Sequence, residues 1–338
     1  MESSLPKTFK AIFSNGDGKD AYIKEIPLEM PGKNQVLIKV DSVPINPSDL
    51  GTIIGVYSVF PDEKALPQNT ERRIGLEGSG TIVAVGEDLK VKHEKGSQVS
   101  FFQLGSWAEY VLVNSEDVCP IKKGRSLEQG ASAFINPATV VFMYRTAQQG
   151  GHKAMIQDAA TSSLGKMMIR YFKQNGKKSI NIVRRDDAIE ELKKEGADYV
   201  FNQNDPDFES KLKEAANKLE ATIAFDAIAG EMAGKILRNM PAHSELYIYG
   251  FRDQSPVGGA SFADFLLHDK VMKGLWLTRY YYTLSPEERQ KLWQEAQQNL
   301  DGTLRSEIIK TFKMEEFAEA IKFYDKNSSK GKVLLKMS

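Results

Sequence analysis

"AMIQDAATSSLGKMMIRYFKQNGKKSINIVRRDD" (154–187) reads as strand, small-residue turn, amphipathic helix and strand. An apolar run, AMIQDA (154–159), ends in the turn, a helical run covers 163–175, and a second apolar run, SINIVRR (179–185), follows. A strand, a helix and a strand in about 30 residues make a right-handed crossover between parallel strands. The alternation continues through helices at 187–195, 207–219 and 231–239 and strands at 198–202, 222–228 and 244–250. Strands alternating with helices predict an α/β, doubly wound parallel sheet over 130–273.

The flanking segments have another texture. Residues 1–125 carry short β-branched runs such as QVLIKV (35–40), GTIVAVG (80–86) and AEYVLV (108–113), separated by Pro, Gly, Asn and Asp. They predict a β-rich domain without helices. SLEQGASAFINPATVVFMYRTAQQG (126–150) has helical spacing broken at Pro137, and the tail adds two helical runs and a closing strand, KVLLKM (332–337). The expected domains are therefore 1–129 with 274–338, and 130–273.

Bulk properties narrow the function classes. The 338 residues carry 45 basic and 45 acidic side chains, so no global field favours nucleic acid or a membrane surface. No apolar run approaches the roughly 18 residues of a spanning helix. The N-terminus, MESSLPKTFK, shows no secretion signal, which suggests the cytoplasm as written, or the mitochondrial matrix if a presequence has been removed. Cys119 is the single cysteine, so intramolecular disulfides and multi-cysteine zinc sites are excluded. The histidines at 93, 152, 243 and 268 are scattered without ligand spacing, and no metal is expected.

The turn after the first strand of 154–187 leaves two readings open. A helix N-terminus attracts phosphate through its backbone N–H groups, provided the residues are small enough for close approach. Thr161, Ser162 and Ser163 are small and hydroxylated, Leu164 follows, and Gly165 stands where the helix must lie against the sheet. The same letters also describe a plain helix capped by Thr161 or Ser162. The end of the second strand adds Arg184, Arg185 and Asp186. Arginine there suits the 2′-phosphate of NADPH, where NAD-preferring domains place an acidic residue.

INPSDLGTIIGVY (45–57), GLEGSGTIVAVG (75–86), INPATVVFM (135–143), ATSSLGK (160–166), INIVRRDD (180–187) and GLWLT (274–278) together resemble the medium-chain dehydrogenase/reductase superfamily over nearly the whole chain. Asn46 and Leu76 stand where zinc-using members carry a cysteine and a histidine, so the resemblance is to the zinc-free branch. Within it the chain looks most like mitochondrial-type trans-2-enoyl-thioester reductases, departing from them at Phe251, where that group has glycine.

That resemblance implies a GroES-like β-barrel catalytic domain plus a Rossmann domain. It implies NADPH-dependent reduction of a 2-enoyl thioester carried on CoA or acyl carrier protein, with Tyr57 as the catalytic hydroxyl. Cofactor-binding roles are implied for Asn46, Asn136, Thr139, Tyr249, Gly250, Phe251, Leu275, Trp276, Leu277 and Lys332, beside the loop and arginine positions. It also implies a homodimer through the cofactor domain, with SELYIYG (244–250) at the sheet edge. The competing readings are an NADPH:quinone or alkenal reductase of the same fold, and a catalytically silent subunit.

Overall fold

The computed structural model describes residues 5–18, 21–56 and 70–337. It forms two compact units, Met1–Ala138 with Thr278–Gln298 and Ser306–Ser338, and Thr139–Leu277 with Asn299–Arg305.

In the second unit six parallel strands lie in the order Tyr199–Asn202, Lys178–Val183, Ala154–Gln157, Ile223–Asp226, Glu245–Ile248 and Val271–Gly274. Numbered along the chain this order is 3-2-1-4-5-6, the doubly wound arrangement of dinucleotide-binding sheets. The two central strands, Ala154–Gln157 and Ile223–Asp226, are buried along their whole length, which is why they read as unbroken apolar runs. Helices Ser163–Gln174, Asp187–Glu195, Phe208–Leu219 and Gly230–Arg238 supply the crossovers. The last two meet Ile156, Ile182, Ala224 and Leu246 in one core through Leu212, Ala216, Ile236 and Leu237, while Ile169, Ala188 and Leu192 of the first two pack with Val183 and Val200 in another.

The strand expected at the sheet edge lies inside. Glu245–Ile248 pairs with Ile223–Asp226 on one side and Val271–Gly274 on the other. The edge is Val271–Gly274, a four-residue strand too short and too exposed to show an apolar period in the sequence.

The first unit is built on antiparallel sheets, apart from one parallel pair. Tyr22–Pro27, Thr8–Ser14 and Arg72–Arg73 form a small sheet. The larger one runs Ile308–Lys313, Lys332–Lys336, Gln35–Pro44, Glu77–Val85, Gln98–Phe102 and Val118–Pro120, with Tyr110–Asn114 also pairing Gln35–Pro44. The parallel pair is Ile308–Lys313 with Lys332–Lys336, which brings the chain's end against its beginning. Register shifts at Leu37/Ile38 and Val40/Ser42 bend the long central strand, as bulges do where a sheet coils on itself. Ile12, Ile38, Ile82, Phe101 and Trp107 fill the resulting core. This is the GroES-like architecture.

Two local expectations are corrected. A helix, Pro47–Ile53, interrupts the β-rich segment; at seven residues it is too short for periodicity, and its only sequence mark is its start. There Asn46 occupies the cap, Pro47 the first turn, and Asp49 Oδ2 accepts the Asn46 backbone N–H at 2.7 Å. Pro137 does not break a helix. It lies in the first turn of Ile135–Gln149, where its missing N–H has no intrahelical acceptor to satisfy, and the break falls instead between Leu127–Gly130 and Ile135.

Candidate functional site

The sheet order reverses between Ala154–Gln157 and Ile223–Asp226, and ligands of such sheets bind beyond the strand ends at that point. The turn leaving the first of these strands bends through Ala159, whose φ of 43° is left-handed, and packs Ala160 fully inside. Ser162 then caps helix Ser163–Gln174, its hydroxyl accepting the Gly165 N–H at 3.0 Å. Thr161, Ser162, Ser163 and Leu164 stay half-exposed at the mouth of the turn. A Cβ on Gly165 would lie 2.6 Å from the Ala160 carbonyl oxygen, so only glycine lets the helix approach this closely. Capping and phosphate binding are compatible readings here, because Ser162 engages one N–H of the four that a helix start leaves unpaired.

The neighbouring strand, Lys178–Val183, ends beside this turn, with the Ala160 N–H donating to the Ile182 carbonyl at 3.4 Å. Arg184, Arg185 and Asp186 follow it, all exposed. Arg185 lies 3.4 Å from Asp187, and Asp186 accepts a hydrogen bond from Asn202 at 2.8 Å. Arg184 is engaged through its carbonyl by Asn204, while its guanidinium has no ion pair or side-chain hydrogen bond among the described residues. Small turn, helix N-terminus and open guanidinium together fit a phosphorylated dinucleotide.

On the other side of the reversal, Tyr249 and Gly250 leave strand Glu245–Ile248. A Cβ on Gly250 would come within 2.3 Å of the Ala227 carbonyl oxygen, so the two strand-end loops are in direct contact. Phe251 continues that loop and is half-buried. The Leu275 N–H pairs with the Ile248 carbonyl at 2.8 Å, and Leu275 and Leu277 are buried around a half-buried Trp276. Asn136 and Thr139 are buried near the start of helix Ile135–Gln149.

In the first unit, Asn46 and Lys332 meet although 286 residues separate them. The Lys332 ammonium donates to Asn46 Oδ1, and the Asn46 amide donates to Glu77 Oε1 at 2.9 Å. Glu77 Oε2 accepts the backbone N–H groups of Phe134 and Ile135 at 3.0 and 2.9 Å. Asp49 completes the cluster, and all four side chains are buried. Burial raises the Glu77 carboxyl against the pull of Lys332, and lowers the Lys332 ammonium against the pull of Glu77 and Asp49. Asp49 is pushed up to about 8, chiefly by burial and then by the Glu77 charge. An amide stands where zinc-using members carry a thiolate, and an ammonium answers the buried carboxylates. Tyr57 lies outside the described residues.

Residues 32–123 match the alcohol dehydrogenase GroES-like domain, and residues 163–298 match the zinc-binding dehydrogenase model. The mitochondrial enoyl-[acyl-carrier-protein] reductase of Caenorhabditis elegans is 31% identical over 305 residues, covering 87% of this chain and 84% of that one. The chain belongs to the medium-chain dehydrogenase/reductase family. It falls in the zinc-free part of that family, among enoyl reductases and quinone oxidoreductase-like proteins, and it is an oxidoreductase. A Mesorhizobium loti structure assigned as an NADPH:quinone reductase superposes with a TM-score of 0.86 at 31% identity, covering 99% of this chain and 100% of that one. The mitochondrial 2-enoyl thioester reductase heterodimer of Candida tropicalis shares the fold, with a TM-score of 0.78 at 23% identity over 98% of this chain and 100% of that one. No helix among the described residues is long and apolar enough to cross a membrane.

Three buried carboxylates, one in the first unit and two in the second, escaped sequence reasoning. Asp49, Asp158 and Asp226 are each fully enclosed, yet each reads in the sequence as an ordinary turn or strand-end aspartate. Glu77 joins Asn46 to the start of helix Ile135–Gln149. The available signal was position: Asp158 directly follows one of the two fully buried strands and Asp226 ends the other.

Proposed function

We propose that this chain reduces the carbon–carbon double bond of a 2-enoyl thioester with NADPH, the acyl group being carried on CoA or acyl carrier protein. The observation that carries the cofactor half is the Arg184 guanidinium, open beside the small-residue turn 161–165. An arginine fork there engages a 2′-phosphate by charge-assisted hydrogen bonds that NADH cannot supply. The substrate half is supported by the enoyl reductase relative at 31% identity across most of both chains.

When bound, NADPH supplies the hydride that the β carbon of the substrate takes up. The N–H groups of the helix start and the hydroxyls of Thr161 and Ser163 would hold its pyrophosphate, and Arg184 would hold the 2′-phosphate. Hydride addition at the β carbon would place charge on the thioester carbonyl oxygen. By the family resemblance, the Tyr57 hydroxyl would donate a hydrogen bond to that oxygen and assist protonation of the α carbon. The family resemblance assigns Asn46, Asn136 and Thr139 to the nicotinamide end, and Leu275, Trp276 and Leu277 to an apolar channel for the acyl chain.

The second reading, reduction of quinones, is favoured by the Mesorhizobium loti protein at the same 31% identity. A panel following NADPH oxidation on crotonyl-CoA, longer enoyl-CoA, enones and quinones tests both. Turnover on quinones alone reverses the order of the two readings. NADPH binding without turnover on any of them leaves a silent subunit.

The same proposal includes a homodimer. The edge strand Val271–Gly274 follows closely in the chain on exposed Phe262, Phe265, Leu266 and Leu267, apolar side chains that a second copy pairing at the edge would cover. Sedimentation reads it directly. The mitochondrial matrix is the compartment this reading favours, because the Caenorhabditis elegans relative is mitochondrial.

A further inference from the structure

We propose that Asp158 and Asp226 share a single proton, and that this bonded pair positions the 227–229 turn and, through it, the 250–253 loop beside the cofactor; its functional consequence rests on the NADPH reading above. The two carboxyls leave adjacent central strands. Phe225 pairs in register with Gln157, so the residues that follow, Asp226 and Asp158, come side by side where the sheet order reverses. Both are completely buried.

Each carboxyl spends one oxygen on the same turn. Asp158 Oδ1 accepts the Ala227 N–H at 2.7 Å, and Asp226 Oδ1 accepts those of Ile228 and Ala229 at 2.7 and 2.8 Å. The other oxygen of each, Oδ2, has no partner. No ion pair reaches either carboxylate among the described residues. The further titratable group facing the pair is Tyr249, which continues from the adjacent strand; burial and both carboxyls hold its phenol well above the usual range, hence neutral. Two buried carboxylates in contact cannot both ionise cheaply, and a proton between them supplies the missing donor. Burial first, and the Asp226 charge second, hold the Asp158 carboxyl well above the ordinary range.

What the pair holds is a turn that an unassisted chain resists. Ala229 sits at φ 67°, a left-handed conformation unfavourable for a residue with a Cβ. The turn's carbonyls carry the next loop, Ala227 accepting the Arg252 N–H at 3.4 Å and Ile228 that of Asp253 at 2.8 Å. A shift of the turn therefore moves Gly250–Asp253, the loop in which the cofactor-binding positions Gly250 and Phe251 lie. Asp158 and Asp226 are positioning residues in this scheme, since neither is exposed to a ligand.

The test compares D158N, D226N and the double variant D158N/D226N in the full-length protein. Melting is followed from pH 5 to 8 without cofactor, and the NADPH dissociation constant is measured at pH 7. A carboxyl raised in the folded state binds a proton that the unfolded chain releases above about pH 4, so it destabilises increasingly as pH rises. The melting point of D158N should therefore gain on that of the native protein from pH 5 to pH 8. Each single amide keeps one donor and one acceptor between the side chains, whereas the double variant sets two donors against each other. Its NADPH dissociation constant should be about tenfold weaker than that of either single variant, the scale of one unmade buried hydrogen bond. Parallel pH profiles for D158N and the native protein, or a double variant equal to the sum of the singles, overturn the proposal. If D158N does not fold, D226N reads the same pH slope. Native protein that binds no NADPH at any pH refutes the cofactor reading, and the melting profiles then judge the pair alone.

Discussion

Replacing Lys332 by methionine removes the ammonium from a cluster in which it is 3% exposed, Glu77 2% and Asp49 1%. Methionine keeps most of the aliphatic stem, so the loss is electrostatic. Taking one partner from a buried charge pair costs about 3–5 kcal/mol, against 0–1 for exposed pairs. Glu77 retains two backbone N–H donors at 3.0 and 2.9 Å and the Asn46 amide at 2.9 Å, which places the expected cost at the low end. In a unit of this size about 3 kcal/mol lowers the melting point by about 6–12 °C. Adding Glu77→Gln should restore most of it, because a neutral amide still accepts from the backbone and can donate to the Asn46 oxygen that Lys332 has vacated. Calorimetric melting of the native protein, K332M, E77Q and K332M/E77Q completes the cycle. The family resemblance implies instead that Lys332 holds the cofactor. Unchanged melting with weakened NADPH binding in K332M would support that role and refute the structural one. A double variant melting as low as K332M would refute the pairing with Glu77.

Arg184→Ala should weaken NADPH binding by roughly 10- to 150-fold, the scale of a charge-assisted hydrogen bond, while NADH binding changes less than twofold; equal losses for both cofactors would remove the 2′-phosphate argument. Tyr57→Phe should lower kcat on crotonyl-CoA by about 10²–10³ with NADPH affinity retained, and undiminished turnover would refute the hydroxyl's role. Asp49 is pushed up to about 8 in the folded state, so its contribution to stability falls as pH rises from about 4 towards 8 and then levels off. Asp49→Asn, which still accepts the Asn46 N–H, should flatten that part of the melting-versus-pH curve, and an unchanged slope would assign it to other groups.

The alternation over 154–250 was legible because each strand of a doubly wound sheet is covered on both faces, so its apolar run announces itself without neighbours. The small-residue turn proposed to hold the phosphates was legible for a related reason. Its demands are for small residues and a close helix, and Ala160, Ser162 and Gly165 meet them within six positions. The helix Pro47–Ile53 and the edge strand Val271–Gly274 were not legible, since neither is long enough to complete a period. The place of Glu245–Ile248 inside the sheet depends on that unseen edge strand.

The sequence by itself determined the parallel sheet, the turn that suits a phosphate, the arginines beyond the second strand and the absence of thiolate ligands. These rest on local order, on residues within one or two turns of each other. Only the tertiary structure decided what the buried charges do. Asp158 meets Asp226 across 68 positions, and Lys332 meets Asn46 across 286. Desolvation belongs to the packed interior rather than to the aspartate or the lysine, and no stretch of chain carries it alone.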